Sequence, residues 1–300
     1  MPASPSTVRR LMPFAAAAAG VGFLSLMDAL MKDAALATGT YTATVLRSLF
    51  GAAIIAPIWM IRRTGWPNRT VMKLHVERGI ISAFMALSFF FALTKLPLAE
   101  AIAISFIAPL IALYFARVLL GEEIQPKAIY ASILGFIGTM VIVGGKFGRG
   151  DMSPDVWLGI ASLGFSAVLY AYNFVVIRRQ SQVAGPVEIA TFHSGIGGLV
   201  LLLFAPFLAT VPKTEALMTI AGAGALTVFG AMAIAWAYAR SEAQALVPIE
   251  YTGFLWASLL GWLFFREPVT LPTLAGTALI VTGCWIATRR PRIPPPAAAT

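Results

Sequence analysis

The chain alternates long apolar segments with short polar ones, and this pattern predicts its secondary structure. About ten segments carry few or no charges over the roughly 20 residues that a helix needs to cross a bilayer. Their apolar residues cover all sides, whereas the strands of a membrane barrel would alternate apolar and polar positions. The predicted spans cover residues 11–36, 41–61, 76–94, 99–120, 128–145, 156–177, 187–208, 216–239, 245–265 and 271–288.

The composition places these helices in a membrane rather than in a soluble core. Hydrophobic residues make up 59% of the 300 positions and charged residues only 12%, with a mean hydropathy of +0.83. A soluble domain would be about a quarter charged. We therefore expect an all-α membrane protein of ten transmembrane helices. The loops are short, and only the Pro-rich tail over 289–300 has a composition typical of disorder.

The net charge of +9 is explained by membrane topology and does not indicate a nucleic-acid partner. With the N-terminus in the cytoplasm, most of the 22 Lys and Arg, Arg78 among them, fall on the cytoplasmic side of the predicted spans. This asymmetry follows the positive-inside rule. We expect both termini in the cytoplasm and the protein in an inner or plasma membrane. His75 falls in the loop before the third span.

Two halves of the chain resemble each other at one shared offset. Residues 78–138 align without a gap on 223–283, a shift of 145 positions. Because five helices per half is an odd number, the second half would enter the membrane from the opposite side, as in many secondary transporters that work by alternating access. The identical or similar pairs are Phe84 and Phe229, Ala92 and Ala237, Lys95 and Arg240, Glu122 and Glu267, and Gly138 and Gly283. The predicted divisions are a cytoplasmic segment 1–10, repeats 11–145 and 156–288, and the tail 289–300.

The same shift relates two ladders of small residues, each with a spacing of four. Small residues four apart lie on one helix face and let neighbouring backbones approach closely in lipid. The carboxylate of Glu250 continues the second ladder, so we expect it to face protein or a wet cavity; its counterpart in the first half is Ser105. The ladders are Ala108, Ala112 and Ala116 in the fourth span, and Gly253, Ala257 and Gly261 in the ninth.

The segment "RGIISAFMALSFFFALTKLPLAEAIAISFIAPLIALYFARVLLGEEI", with a weaker copy ending "LFFREPVTLPTLAGTALIVTGCW", resembles EamA-type transporters of the drug/metabolite transporter superfamily. Within that family the chain resembles YddG-type exporters of aromatic and other neutral amino acids. The resemblance extends from Leu11 to Arg290. It implies a ten-helix inverted-repeat fold, a central cavity and export, and it leaves the solute open among amino acids, nucleotide derivatives, polyamines and drugs.

Charged residues inside predicted spans need a reason, because each costs at least about 2.5 kcal/mol to insert. Asp28 and Arg47 both lie in the outer half, where they could pair. The pair would either join two helices or face the solute, and Lys32, one turn beyond Asp28, is a competing partner.

The second half places polar residues toward the cytoplasmic side instead. "GF" at 22 and 23 recurs at 164 and 165, a shift of 142 that aligns Tyr170 with Asp28. "LRSLFG" (46–51) resembles "FHSGIG" (192–197) at a shift of 146, which aligns His193 with Arg47. Together with Glu250 they form an inner group opposite the outer one, so we expect the two groups to be alternately closed ends of one pathway. For His193, a role as a satisfied core side chain and a role as a proton relay both remain open.

Aromatic side chains have two explanations, as interfacial belts or as walls of a cavity. Trp59, Trp66, Trp157, Trp262 and Trp285 lie near helix ends and favour the belt. A cavity with mostly apolar and aromatic walls suits a neutral solute, although each of these rings could equally pack against other helices. The candidates for a cavity wall are Phe89, Phe90, Phe91, Tyr170, Tyr172, Trp236, Tyr251 and Trp256.

Other functional classes fit the sequence less well. The two histidines have no spacing suited to a metal site, and no nucleophile elbow is present, which disfavours an intramembrane enzyme. Rings of like charge or a repeated carbonyl filter, typical of channels, are not visible either. We expect no cofactor and no metal, a monomer in the lipid bilayer, and a small-molecule substrate. Uniport, proton coupling and antiport remain open.

Overall fold

A computed structural model describes residues 5–62, 65–120, 126–148, 153–180, 182–238, 240 and 252–288. All regular secondary structure in this part of the chain is helical. The helices are α1 Pro5–Thr38, α2 Thr40–Ile61, α3 Arg69–Lys95, α4 Leu98–Ser105, α5 Ala108–Leu120, α6 Pro126–Gly148, α7 Pro154–Gln180, α8 Pro186–Leu202, α9 Ala205–Leu208, α10 Thr214–Tyr238, α11 Thr252–Phe265 and α12 Leu271–Thr288.

Several of these helices are long and apolar enough to cross a membrane. They are Met12–Thr38, Thr40–Ile61, Arg69–Lys95, Pro154–Ile177 and Thr214–Ile234, accompanied by shorter apolar helices such as Thr252–Phe265. Many large apolar side chains point outward, among them Phe207, which is 85% exposed. An outward-facing apolar surface of this extent suits lipid and not water.

Most predicted span limits agree with the helices, but the fourth span is not one continuous helix. The helix stops at Ser105 and resumes at Ala108. Residue 109 is a proline, which has no N–H to donate to the carbonyl of Ser105. The chain tightens there, since the N–H of Phe106 bonds to Ala103 O at 3.3 Å and that of Ile107 to Ile104 O at 3.1 Å.

The third span begins earlier than the hydropathy pattern predicts. The side chain of Asn68 accepts a hydrogen bond from the N–H of Val71 at 2.9 Å and caps the start of α3. His75 is therefore helical and fully buried, and its prediction as a loop residue is wrong. Arg78 is likewise buried, 8% exposed, and not a free charge at the membrane surface. Hydrogen bonds to polar side chains on α7 and α8 offset the cost of burying His75 and Arg78.

The helix pairs are related by an exchange rule, in which α1 is swapped with α7, α2 with α8, α3 with α10 and α6 with α12. The swap converts the pair α1–α10 into α7–α3 and the pair α2–α10 into α8–α3, and all four of these pairs are in contact. α2 with α8, and α6 with α12, are the pairs that the exchange leaves unchanged. At the α6–α12 crossing the backbones approach so closely that a Cβ on Gly138 would lie 2.5 Å from the carbonyl oxygen of Gly276. The two halves of the chain thus contact their partners in equivalent ways.

The bundle has two ends, which we call the Thr38 end and the Trp59 end. At the Thr38 end, where α1 finishes and α2 begins, the hydroxyls of Thr42 and Thr210 lie 3.1 Å apart. At the Trp59 end, where α2 finishes and α8 begins, the rings of Trp59 and Phe192 meet edge to face at 5.2 Å between centroids. The main apolar core lies between the middle of the bundle and the Thr38 end, and includes Met31, Leu93, Leu98, Ile220 and Ile280.

Candidate functional site

Arg47 reaches into the interior from α2 and contacts two other helices. It lies seven residues past Thr40, about 10 Å along the helix axis. Its Nη1 donates to Oγ1 of Thr227, in the middle of α10, at 3.3 Å. Its guanidinium lies over the ring of Phe90 on α3, 5.2 Å from the centroid. Its Nε is buried and has no hydrogen-bond partner among the residues that the structure describes. A cation is therefore held inside the bundle with part of its bonding capacity unused.

Asp28 lies on α1, half-buried and close enough to Arg47 for their charges to interact. The two do not form an ion pair, and Asp28 makes no hydrogen bond to any residue that the structure describes. Arg47 instead contacts Thr227 and Phe90. The predicted competing partner, Lys32, is bound elsewhere. The two opposite charges are thus neighbours that do not touch.

His193 occupies the matching place on α8, seven residues past Pro186. It is half-buried, and its inaccessible Nδ1 has no hydrogen-bond partner in the described part of the chain. The charges of Arg78 and Arg47 both act on its ring. Asp28, Arg47, Phe90, His193 and Thr227 come from five helices of both halves of the chain, and we call them the central cluster.

A second polar network, which the sequence analysis missed, joins α3 to α7 near the Trp59 end. Arg78 donates to Oδ1 of Asn173 at 3.2 Å and to Oε1 of Gln180 at 3.1 Å. The Nε2 of Gln180 donates to Nδ1 of His75 at 2.5 Å. The other ring nitrogen of His75 then carries the proton and donates to Glu188 at 2.9 Å. These contacts connect a buried cation to a carboxylate through two neutral side chains.

The Thr38 end is closed by a different set of contacts. The ammonium of Lys32 donates to the carbonyl of Leu96 at 2.8 Å and pairs with Glu267, and it lies over the ring of Phe265. The other carboxylate oxygen of Glu267 accepts from the N–H of Leu98 at 2.7 Å. Nearby, Lys95 pairs with Asp155 at 2.9 Å. These bonds join the ends of α1, α3 and α11 and the start of α4.

The predicted aromatic residues that the structure describes lie at several separate places. Phe89 is half-buried beside Phe90, and Tyr170 is 44% exposed. The hydroxyl of Tyr172 donates to Glu77 at 2.6 Å, away from the central cluster. Trp236 lies under Arg240 at the end of α10, with 4.1 Å between the guanidinium carbon and the ring centroid.

Trp256 packs on α1, where a Cβ on Gly22 would lie 3.2 Å from its indole ring. Two further predicted site residues, Glu250 of the inner polar group and Tyr251 of the cavity wall, lie outside the described residues.

The ladders of small residues lie at helix contacts. Ala108 and Ala112 are buried on α5, and the side chain of Ala116 lies outside the described part of the chain. On α11, Gly253, Ala257 and Gly261 are all buried. The ladder faces α1 near Val21 and the start of α4 near Leu98. These positions suit the predicted packing role.

Apolar helices of membrane length, packed around buried charges contributed by both halves of the chain, define a multi-pass membrane protein with a polar interior. The chain belongs to the EamA-like transporter family, whose model matches residues 11–144 and again 157–289. The expected membership of this family is confirmed.

Relatives of the chain are named as transporters of different solutes. It is 27% identical over 265 residues to the pseudopaline exporter CntI of Pseudomonas aeruginosa, covering 87% of this chain and 90% of that one. It is 23% identical to the S-adenosylmethionine uptake transporter of Rickettsia prowazekii, covering 86% and 85%. It is 26% identical to the aromatic amino acid exporter YddG of Ancylobacter novellus, covering 62% and 67%.

A solved crystal structure shares the fold. It superposes with a TM-score of 0.60 at 21% sequence identity, over 90% of this chain and 96% of the other.

Proposed function

We propose that this protein is a secondary transporter that exports small organic solutes across the inner membrane, with aromatic or hydrophobic amino acids as its substrates. Family membership supports transport, and the relative named as an aromatic amino acid exporter supports the solute class. Ten membrane helices would form two inverted repeats, 11–145 and 156–288, with both termini in the cytoplasm. The solute would bind near the bilayer midplane, where the repeats meet.

The observation that carries this proposal is the guanidinium of Arg47, whose buried Nε has no hydrogen-bond partner among the described residues. A charge inside a membrane bundle is costly, and ionisable residues there mark solute and ion pathways. Arg47 belongs to the first half of the chain and Thr227 to the second, so one hydrogen bond spans the interface between the proposed repeats. The exchange rule of the helix pairs supports an alternation between two equivalent closed ends.

The test is flux of labelled solutes into proteoliposomes. We expect wild-type protein to move L-phenylalanine faster than empty liposomes do, and Arg47→Gln to lose most of that flux. Arg62→Gln, an exposed arginine at the end of the same helix, is the matched control and should retain it. Equal phenylalanine flux in Arg47→Gln and wild type, at equal reconstitution, would remove Arg47 from the pathway.

A permease for another metabolite is the second candidate. It is favoured by the relatives named for pseudopaline, S-adenosylmethionine and riboflavin. The same flux assay separates the two, because a solute panel that includes polyamines and riboflavin would then show transport while every amino acid fails.

A further inference from the structure

The central cluster contains two opposite charges, Asp28 and Arg47, that do not form an ion pair with each other. Arg47 has five N–H donors, of which Nη1 bonds to Thr227 while Nε is buried and bonds to none of the described residues. The ring of Phe90 stabilises the positive charge but accepts no conventional hydrogen bond. Buried cations in membrane bundles are normally paired with an anion. The unused donor therefore indicates a missing acceptor.

Among the described residues, Asp28 lacks a hydrogen-bond donor, as Nε of Arg47 lacks an acceptor. The half-buried carboxylate of Asp28 forms neither a hydrogen bond nor an ion pair within the described part of the chain. Helix α10 brings α1 and α2 together at this level, because a Cβ on Gly222 would lie 3.9 Å from Leu30 on α1 and one on Gly224 would lie 3.3 Å from the carbonyl oxygen of Arg47 on α2.

The nearest alternative cation along α1, Lys32, is bound to Glu267 and to the carbonyl of Leu96. The carboxylate thus lacks a donor while the guanidinium lacks an acceptor.

A ligand that carries both charges gives each of the two groups its counter-charge. A simple carboxylate would meet Arg47 and leave Asp28 facing an anion, and a simple amine would meet Asp28 and leave Arg47 facing a cation. Either would bury an unbalanced charge, which is expensive in a low-dielectric interior. A zwitterion leaves the net charge of the cluster unchanged.

We propose that Asp28 and Arg47 bind the head group of an α-amino acid, with the ligand's carboxylate on Arg47 and its ammonium group on Asp28. His193 belongs to the same cluster, and its buried Nδ1 has no hydrogen-bond partner among the described residues. This assignment rests on the proposed transport of amino acids and adds which atoms of the solute are recognised. Thr227 and Phe90 act as positioning residues that hold the guanidinium.

The test compares three labelled probes that share a phenyl ring. L-Phenylalanine carries both charges, L-phenylalaninamide only the ammonium group, and 3-phenylpropanoate only the carboxylate. Counterflow into proteoliposomes is measured for wild type, Asp28→Asn and Arg47→Gln. Asp33→Asn and Arg62→Gln change exposed residues of the same two helices and serve as controls.

We expect wild type and both controls to prefer phenylalanine over either analogue by at least about tenfold, because each analogue leaves one buried charge unmatched. Asp28→Asn should shift the ratio toward 3-phenylpropanoate, and Arg47→Gln toward phenylalaninamide. A gain for one analogue cannot result from misfolding, which lowers the flux of all three probes.

The outcomes separate this assignment from the proposed function. Phenylalanine flux with unchanged probe ratios in both variants overturns the head-group assignment and leaves amino acid transport intact. An absence of flux for all amino acids in wild type overturns the proposed function, and the assignment with it.

Discussion

At the scale of single residues, Gln180 is a partner shared by two buried basic side chains, Arg78 and His75. Its carbonyl oxygen accepts from Arg78 and its amide nitrogen donates to His75, so each end of the amide has a defined role. Because one side chain bridges two helical positions on α3, this network depends on Gln180 more than on any other member. The central cluster has no such bridge.

Replacing Gln180 with leucine should destabilise the protein without changing its net charge. The change leaves one donor of Arg78 and one ring nitrogen of His75 buried and unpaired, at a cost of about 1–3 kcal/mol each. Thermal unfolding in detergent should show a clearly lower midpoint for Gln180→Leu. The matched control is Gln182→Leu, since Gln182 is exposed just beyond the end of α7. Equal midpoints for the two variants would show that the network does not contribute to stability.

At the scale of helices, the crossing of α6 and α12 depends on the absence of a side chain. Gly138→Ala would bring a methyl group to 2.5 Å from the carbonyl oxygen of Gly276, which is backbone and cannot rotate away. We expect a loss of about 1–3 kcal/mol of unfolding free energy through overpacking. Gly144→Ala lies on the same helix with nothing within 4 Å of the added Cβ. It should be neutral or slightly stabilising, because alanine is the better helix former.

Denaturant unfolding in mixed micelles measures both glycine variants on one scale. If Gly138→Ala proves as stable as Gly144→Ala, the two helices do not cross as closely as the structure has them.

The helices themselves could be predicted well from the sequence because hydropathy is a local property of each segment. The twelfth helix begins and ends where the pattern placed it, at 271 and 288. The break between α4 and α5 follows from the proline at 109, and the sequence analysis treated that segment as one span. The early start of α3 was missed because Lys73, His75 and Arg78 lower the hydropathy of its first turns.

The site was harder to predict than the fold. The pattern identified Asp28, Arg47 and His193 because polar residues are rare in apolar spans. It could not show that Arg47 turns to Thr227, which lies 180 positions further along the chain. A stripe at 162, 166, 173 and 180 on α7 does indicate a polar helix face. Read together with residues 75, 78 and 82, that stripe could have revealed the buried network.

At the scale of the whole molecule, transport by alternating access requires both ends of the bundle to open in turn. The Thr38 end is held by Lys32 and Glu267 and by the hydroxyls of Thr42 and Thr210, which belong to different halves of the chain. Alternating access requires these contacts to separate during each cycle. A covalent bond at this position should therefore stop the cycle without disturbing the folded state.

The most direct measurement is phenylalanine counterflow by Thr42→Cys/Thr210→Cys, with the single native cysteine, Cys284, changed to alanine. The hydroxyls lie 3.1 Å apart, which brings the introduced sulfurs close together. We expect near-zero phenylalanine flux when the cysteine pair is oxidised, recovery of that flux after reduction, and normal flux in each single-cysteine variant. Wild-type flux in the oxidised protein, with the disulfide verified by mass spectrometry, would contradict this expectation.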